Sequence, residues 1–162
     1  MKAGFKSYIL LLATSMLLLL NSCVQPDKNT VIDSNVSIFD LNWSYVNKIR
    51  FDFKIDDSSA KYNLFLNLRI TPNYRYSNIF ILIHQTSPDK KTKTARFEFK
   101  LANPDGEWLG QGTGNLYSYQ IPFEAGYKFP KLGTYRIELE QNMRDNPLHE
   151  VSDVGLRVEK AQ

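Results

Sequence analysis

Cysteine and histidine, which carry much of the covalent, metal and acid–base chemistry of proteins, are scarce in this chain of 162 residues. The one cysteine, Cys23, has no partner for a disulfide within the chain. The two histidines, His84 and His149, have no cysteine or carboxylate at a metal-ligand spacing. We therefore expect no metal, no cofactor and no catalysis that depends on histidine.

Motifs for phosphate binding and serine catalysis are also missing. Gly110, Gly112 and Gly114 are spaced like the glycines of a phosphate loop, but no Lys-Ser or Lys-Thr pair follows them. In a β protein such glycines more often mark a bulge or a close approach of the backbone. No Gly-x-Ser-x-Gly segment occurs, and Glu138 and Glu140 fit solvent-facing charge on a strand better than a glycosidase pair. We expect no enzymatic activity.

The N-terminal segment has the layout of a bacterial lipoprotein signal. Lys2 and Lys6 precede a nearly unbroken apolar run at residues 8–20, which is too short to cross a bilayer as a helix. The run ends at Leu20-Asn21-Ser22-Cys23, and signal peptidase II cuts before a lipidated cysteine that follows a small residue. The sequence therefore predicts that residues 1–22 are removed. Acyl chains on Cys23, palmitate among them, would then hold the protein at a membrane surface.

Removal of this segment leaves no marked excess of charge. The whole sequence has a net charge of +3, and the loss of Lys2 and Lys6 leaves eighteen basic and seventeen acidic residues, a net charge of +1. A near-neutral chain offers no basic stripe for nucleic acid and no polybasic patch for anionic lipid. We expect no nucleic-acid partner.

The rest of the chain divides into a tether and one domain. Residues 23–37 mix proline, aspartate, asparagine and serine with few apolar residues, which predicts a flexible tether. Residues 38–162 are long enough for a single domain with a sizeable core.

Apolar residues of this domain recur with a period of two, which indicates β-strands. Most of the segments alternate apolar with polar residues, whereas residues 79–83 form a continuous apolar run, as expected for a strand inside a sheet. The segments are 49–55, 64–70, 79–83, 97–101, 135–139 and 154–158. Turn residues separate them, and no amphipathic helix exceeds a turn or two. The pattern predicts an all-β fold, an antiparallel β-sandwich with a jelly roll as a candidate topology.

Aromatic residues offer two candidate binding features. Trp43 and Trp108 could form a platform on which a glycan stacks, although core packing is the commoner use of such rings. Tyr74, Arg75 and Tyr76 lie between two strands and have the composition of a binding hot spot, with a loop folded over the edge of the sandwich as the alternative. A glycan-binding module is therefore the alternative to a protein-binding role, and we expect no other small-molecule ligand.

Several motifs occur in a fixed order along the domain. They are Trp43, YNLFLNLR at 62–69, YRYSN at 74–78, WLGQGTGN at 108–115, Phe129-Pro130, the segment from Tyr135 to Arg144 that ends in EQNMR, and VSDVGLRVEK at 151–160. In these motifs the chain resembles the gliding-motility lipoprotein GldH family of Bacteroidetes, over nearly the whole sequence after Cys23. The segment Thr94-Ala95-Arg96 departs from the more acidic pattern of the family.

The resemblance implies a lipid-anchored protein of the cell envelope without enzymatic activity. In gliding members of the phylum such proteins serve surface movement and are associated with machinery that shares parts with type IX secretion. Residues 24–27 hold one acid, Asp27, which favours a protein that faces the periplasm over one exported to the cell surface. We expect an interaction or scaffold component that docks an envelope protein through two loops. Its contact residues would be Tyr74, Arg75, Tyr76, Asn78, Trp108 and Asn115.

Replacement of Cys23 by serine tests the lipid anchor. We expect the Cys23→Ser protein to lose metabolic labelling with palmitate and to leave the membrane fraction, because each buried methylene of the acyl chains contributes about 0.8 kcal/mol. The neighbouring Asn21→Ala substitution retains the cysteine and should change neither result. A Cys23→Ser protein that kept its label and its membrane fractionation would contradict the prediction.

Overall fold

The structure is a computed structural model that describes residues 28–112 and 114–161. Cys23 and residues 1–22 lie outside these residues, so the signal and the lipidation stay predictions. The described chain contains ten strands and one short 3-10 turn. In order these are β1 Thr30–Ser37, the 3-10 turn Phe39–Leu41, β2 Asn42–Trp43, β3 Ile49–Ile55, β4 Tyr62–Ile70, β5 Asn78–Thr86, β6 Thr92–Lys100, β7 Tyr117–Tyr127, β8 Gly133–Gln141, β9 Leu148–His149 and β10 Val151–Lys160.

Eight long strands form two antiparallel four-stranded sheets that pack face to face. The first sheet has the order β1-β10-β4-β7 and the second has the order β3-β8-β5-β6, while β2 and β9 pair separately. This strand order is that of a jelly roll, which confirms the predicted sandwich and its candidate topology. None of the helical segments among the described residues has the length and apolarity needed to cross a membrane.

The core follows from the two-residue periodicity of the strands. In β3, Phe51, Phe53 and Ile55 are buried, while the intervening Arg50 and Lys54 are exposed. The same alternation in β4, β8 and β10 buries a row of leucine, isoleucine and valine side chains from each sheet. Each such side chain contributes about 1.5–3 kcal/mol on burial. The continuous apolar run at 79–83 belongs to β5, which is paired on both sides, by β8 and by β6.

Residues 30–37 are a strand, which corrects the predicted tether of 23–37. They form β1, paired antiparallel with β10 at one edge of the first sheet. An edge strand that covers one corner of the core needs few apolar residues, and here only Val31 and Ile32 contact the core. Asp33 and Asn35, two of the polar residues that suggested a tether, are exposed, and Asp33 forms an ion pair with Arg157 at 2.9 Å. Six residues then separate Cys23 from Thr30.

The strand β7 had no counterpart in the sequence prediction. It runs along the other edge of the first sheet and contains Pro122 and Gly126. Proline is tolerated at a sheet edge because no neighbouring strand needs its missing N–H. The β4–β7 register shifts near Tyr62 and Leu64, as expected of a bulged edge.

The N-terminal end of β1 defines the two ends of the sandwich. Thr30 pairs with Glu159, and the amide of Lys160 donates to the carbonyl of Asn29. We call this end, with loops 56–61, 87–91 and 128–132, the proximal end. Because the strands are antiparallel, the opposite end carries residues 38–48, 71–77, 101–116 and 142–150, and we call it the distal end.

Substitution of Gly155 tests the seating of β1. A Cβ at Gly155 would overlap Asn35 Oδ1 and lie 2.5 Å from the carbonyl oxygen of Ser34, so β1 would have to move. We expect Gly155→Ala to lower the free energy of unfolding by about 1–3 kcal/mol, as overpacking does. Hydrogen exchange should show lost protection of the β1 amides, with those between β4 and β10 retained.

The variant Asn35→Ala is the matched control, since it enlarges the same space instead of filling it. It should leave the exchange of the β1 amides nearly unchanged. Full protection of β1 in Gly155→Ala would show that the strand is not seated against Gly155 as described.

Candidate functional site

The two predicted interaction loops lie side by side at the distal end. The amides of Leu101 and Ala102 both donate to the carbonyl of Ser77, at 2.7 and 3.0 Å. The hydroxyl of Tyr119 in β7 donates to the carbonyl of Leu101 at 2.9 Å. These bonds attach the loop at 101–116 to the loop at 71–77 and to the first sheet.

An aromatic cluster joins the same two loops. The ring of Tyr74 lies 6.3 Å from the ring of Trp108 and 5.9 Å from that of Tyr76, and Trp108 lies 5.7 Å from Tyr117. Tyr74 is 4% exposed, and its hydroxyl donates to the carbonyl of Asn78 at 3.1 Å. Burial raises the pKa of the Tyr74 phenol well above its ordinary value. The cluster therefore holds the loops together as one surface.

The predicted contact residues differ in how far they are exposed to solvent. The burial of Tyr74 corrects its predicted contact role, because the side chain holds the loop in place. The side chain of Arg75 is 81% exposed. Asn115 is also exposed, whereas Tyr76, Asn78 and Trp108 are half-buried.

A sugar-stacking platform that includes Trp43 does not fit the position of that ring. Trp43 is 1% exposed, and its Nε1 donates to the carbonyl of Asn47 at 3.1 Å. Trp108 is half-buried against Tyr74 and Tyr117. Trp43 therefore serves in core packing. The contacts of Trp108 with the two tyrosines are packing contacts as well.

The glycines at 110 and 112 allow the loop at 101–116 to lie close to β7 and to the residue before it. A Cβ at Gly110 would come within 2.6 Å of the Tyr119 ring. One at Gly112 would overlap the carbonyl oxygen of Leu116, and Gly112 has a φ of +151°. The prediction of a close approach of the backbone is confirmed for Gly110 and Gly112. A Cβ at Gly114 would meet no atom within 4 Å, so that glycine is explained only by its φ of +99°.

A third loop, residues 142–147, completes this surface, and sequence reasoning did not single it out as a site. The hydroxyl of Tyr76 donates to Asp145 at 2.6 Å, and Arg75 lies 3.9 Å from the same carboxylate. Gln141, only 1% exposed, donates to the carbonyl of Asp145 and accepts from the amide of Met143. The signal that could have found the loop was the motif EQNMR, which ends within it.

Exposed apolar side chains are concentrated at the distal end. Of the eight large exposed ones among the described residues, six lie in its loops and Val36 is next to the distal end of β1, so only Leu132 is proximal. Phe39 is the most exposed, at 93%, on a 3-10 turn that also contains Asp40 with a φ of 53°. The six in the distal loops are Phe39, Leu41, Tyr45, Val46, Leu109 and Leu116.

Glu138 and Glu140, the two carboxylates considered as a glycosidase pair, are both engaged in ion pairs. Glu138 pairs with Arg50 at 3.1 Å, and Glu140 lies 2.8 Å from both Lys48 and His84. Burial raises the pKa of Glu140, but hydrogen bonds from Lys48 and His84 outweigh it and leave that pKa below its ordinary value. Within residues 28–112 and 114–161, no three His, Cys, Asp or Glu side chains are grouped so that they could hold a metal ion.

Comparison with known proteins gives matches over almost the whole chain. Residues 30–158 match the family described as GldH lipoprotein. The "Gliding motility lipoprotein GldH homolog" of Christiangramia forsetii is 32% identical over 168 residues, 99% of each chain. The "Gliding motility lipoprotein GldH" of Flavobacterium johnsoniae is 34% identical over 161 residues, 95% of this chain and 96% of that protein.

One solved structure also matches. It is described as "Structure of infectious bursal disease virus Gx strain", with a TM-score of 0.35 and 14% identity. The match covers 82% of this chain and 30% of the viral chain.

Removal of the Asp145 carboxylate tests the geometry that joins the first and third loops. The hydrogen bond to Asp145 raises the pKa of Tyr76, since the carboxylate accepts from the phenol and repels the phenolate. We expect Asp145→Ala to lower the pKa of Tyr76 toward its usual range, measured by pH titration of the labelled tyrosine in NMR spectra. The control Glu98→Gln removes a carboxylate that binds Asn78 instead and should leave Tyr76 unchanged. An unaltered Tyr76 titration in Asp145→Ala would refute the contact.

Proposed function

The chain belongs to the GldH lipoprotein family, and we propose that it is a non-enzymatic scaffold component of the cell envelope that docks a partner protein through its distal end. Membership in a lipoprotein family supports a membrane-anchored place in the envelope. We further propose Cys23 as the acylated residue and the periplasm as the side that the domain faces. The partner would belong to an envelope complex that serves gliding or type IX secretion.

The observation that carries this proposal is the arrangement of the two ends. The chain enters the sandwich at the proximal end, through Thr30 of β1. The seven peptide units from Cys23 to Thr30 span at most about 25 Å, so an anchor on Cys23 would keep that end near the bilayer. The three loops that meet at the distal end would then be presented away from the point of attachment.

The structure of the distal surface also suits docking. The Tyr74 and Trp108 rings and the bonds to Ser77 hold the loops before any partner arrives. A surface that is already ordered loses little conformational entropy on binding. Exposed apolar side chains such as Leu109 and Phe39 supply area that a partner could bury.

Anchoring would strengthen a modest interface. Two proteins held in the same membrane meet at a raised effective concentration, so weak contacts can maintain a complex. This is the benefit that a lipid anchor gives a scaffold without catalytic groups.

Photo-crosslinking from the two ends tests the proposal. A benzoylphenylalanine at position 109 or 75 replaces an exposed distal side chain, Leu109 at 49% exposure or Arg75. In intact cells we expect both positions to give a discrete adduct of higher mass, because the docked partner lies against them.

The matched control is position 132, since Leu132 is an exposed leucine at the proximal end with 57% exposure. It should give no such adduct. Equal adducts from positions 109 and 132, or none from 75 and 109, would reject docking through the distal end.

A further inference from the structure

Two arginines stand apart from the others in the chain. All seven are described, and five have a carboxylate within 4.0 Å, so the two exceptions carry uncompensated charge. The exceptions are Arg96 and Arg144, which form no ion pair among the described residues, and both line one pocket. We propose that this pocket binds a carboxylate of an acidic peptide segment in the docked partner.

Strand register explains why Arg96 is unpaired. Across the neighbouring strand, Arg50 faces Glu138 and Arg136 faces Asp52, so each charge is met by its opposite. Arg96 in β6 faces Leu82 in β5 instead. Charged residues alternate with apolar ones in β6 as they do in β3. The strand that faces β6, however, is β5, which contains no aspartate or glutamate.

The acidic side chains that lie closest to these arginines along the chain are engaged by other groups. Glu98 accepts a hydrogen bond from Asn78 at 2.6 Å. Asp145 accepts from Tyr76 at 2.6 Å and lies 3.9 Å from Arg75. Neither carboxylate neutralises Arg96 or Arg144, so an external anion would be attracted to the pocket.

The pocket holds Arg96 in a fixed position. Its guanidinium lies over the Phe80 ring at 3.8 Å from the centroid, and its Nε donates to Asn142 Oδ1 at 2.7 Å. The terminal amino groups of Arg96 have no partner among the described residues. A guanidinium stacked and oriented in this way is ready to bind a carboxylate through two parallel hydrogen bonds.

The other side chains that line the pocket are partly apolar, which favours a peptide ligand over a small inorganic anion. The volume is about 380 Å³, and the lining includes the half-buried Phe80, Met143 and Tyr76. Ligand pockets usually run from about 300 to 1,000 Å³, so this one suits an anchor of one or two residues. A carboxylate next to an aromatic or aliphatic side chain would satisfy the arginines and cover these apolar groups together.

The position of the pocket connects it with the distal surface. Asn142, Met143 and Arg144 belong to the third distal loop, and Tyr76 belongs to the first. The inference therefore rests on the proposed docking function and names the chemistry by which the partner is recognised.

Two peptides that differ only in charge test the inference. Fluorescein-labelled GFEFEG and its uncharged counterpart GFQFQG, each blocked at its C-terminus, are titrated with the full-length acylated protein in neutral detergent, and binding is followed by anisotropy. We expect the acidic peptide to bind at least about tenfold more tightly, and this preference to weaken with salt, since two charge-assisted contacts distinguish the peptides.

Three variants locate the effect. The double variant Arg96→Gln/Arg144→Gln should abolish the preference. Arg144→Gln alone leaves the stacked Arg96 intact and should reduce the preference in a folded protein. Arg50→Gln removes the same charge from the opposite edge of the same sheet face and should retain the preference.

Equal affinity for the two peptides, or a preference that survives the double variant, would overturn the inference. Vesicles that contain phosphatidylglycerol test a lipid headgroup as the ligand instead. If the protein binds these vesicles only when both arginines are present, and does not discriminate between the peptides, the pocket would be assigned to a lipid headgroup and the inference would be overturned. Adducts at positions 75 and 109 without an acidic preference would refute the pocket alone. A retained preference without those adducts would refute docking in cells and leave the carboxylate site standing.

Discussion

The antiparallel pairing of β1 with β10 is the interaction on which the organisation of this molecule depends. It places Thr30 beside Glu159 at the proximal end and leaves only six residues between Cys23 and the folded domain. The same pairing places the first and last strands of the domain side by side in one sheet. The direction of the sandwich relative to its predicted anchor therefore follows from backbone hydrogen bonds at one edge, which a close fit against Gly155 maintains.

The distal surface illustrates how aromatic packing and hydrogen bonds hold the loops of a β-sandwich in place. Tyr74 and Trp108 bring together segments that lie more than thirty residues apart in sequence, and Gln141 holds the third loop through both of its amide atoms. Aromatic pairs of this kind contribute about 0.5–1.5 kcal/mol beyond their buried area. Rigid loops on a rigid scaffold are a common setting for binding sites.

The strands that alternate cleanly were predictable from sequence, and those at the edges of the first sheet were not. Residues 49–55 coincide with β3 because each apolar residue there faces the core and each charge faces solvent. The strands β1 and β7 were missed because an edge strand tolerates polar residues, bulges and Pro122, which weaken the pattern. The loops at 71–77 and 101–116 were found from their aromatic and glycine residues. The burial of Tyr74 and the unpaired charge of Arg96 depend on tertiary contacts and on strand register, which composition and periodicity do not contain.

The short connection to β1 has a mechanical consequence. If the acyl chains hold Cys23 and a partner pulls on the distal loops, tension would run along the strands, with β1 drawn toward the bilayer and the rest of the sandwich drawn away from it. The hydrogen bonds between β1 and β10 lie perpendicular to this direction, so they would share the load in shear and would not separate one at a time. An edge strand pulled from this end would therefore pass the load to the rest of the sandwich through many hydrogen bonds at once. A strand pulled from its other end would instead lose these bonds one after another.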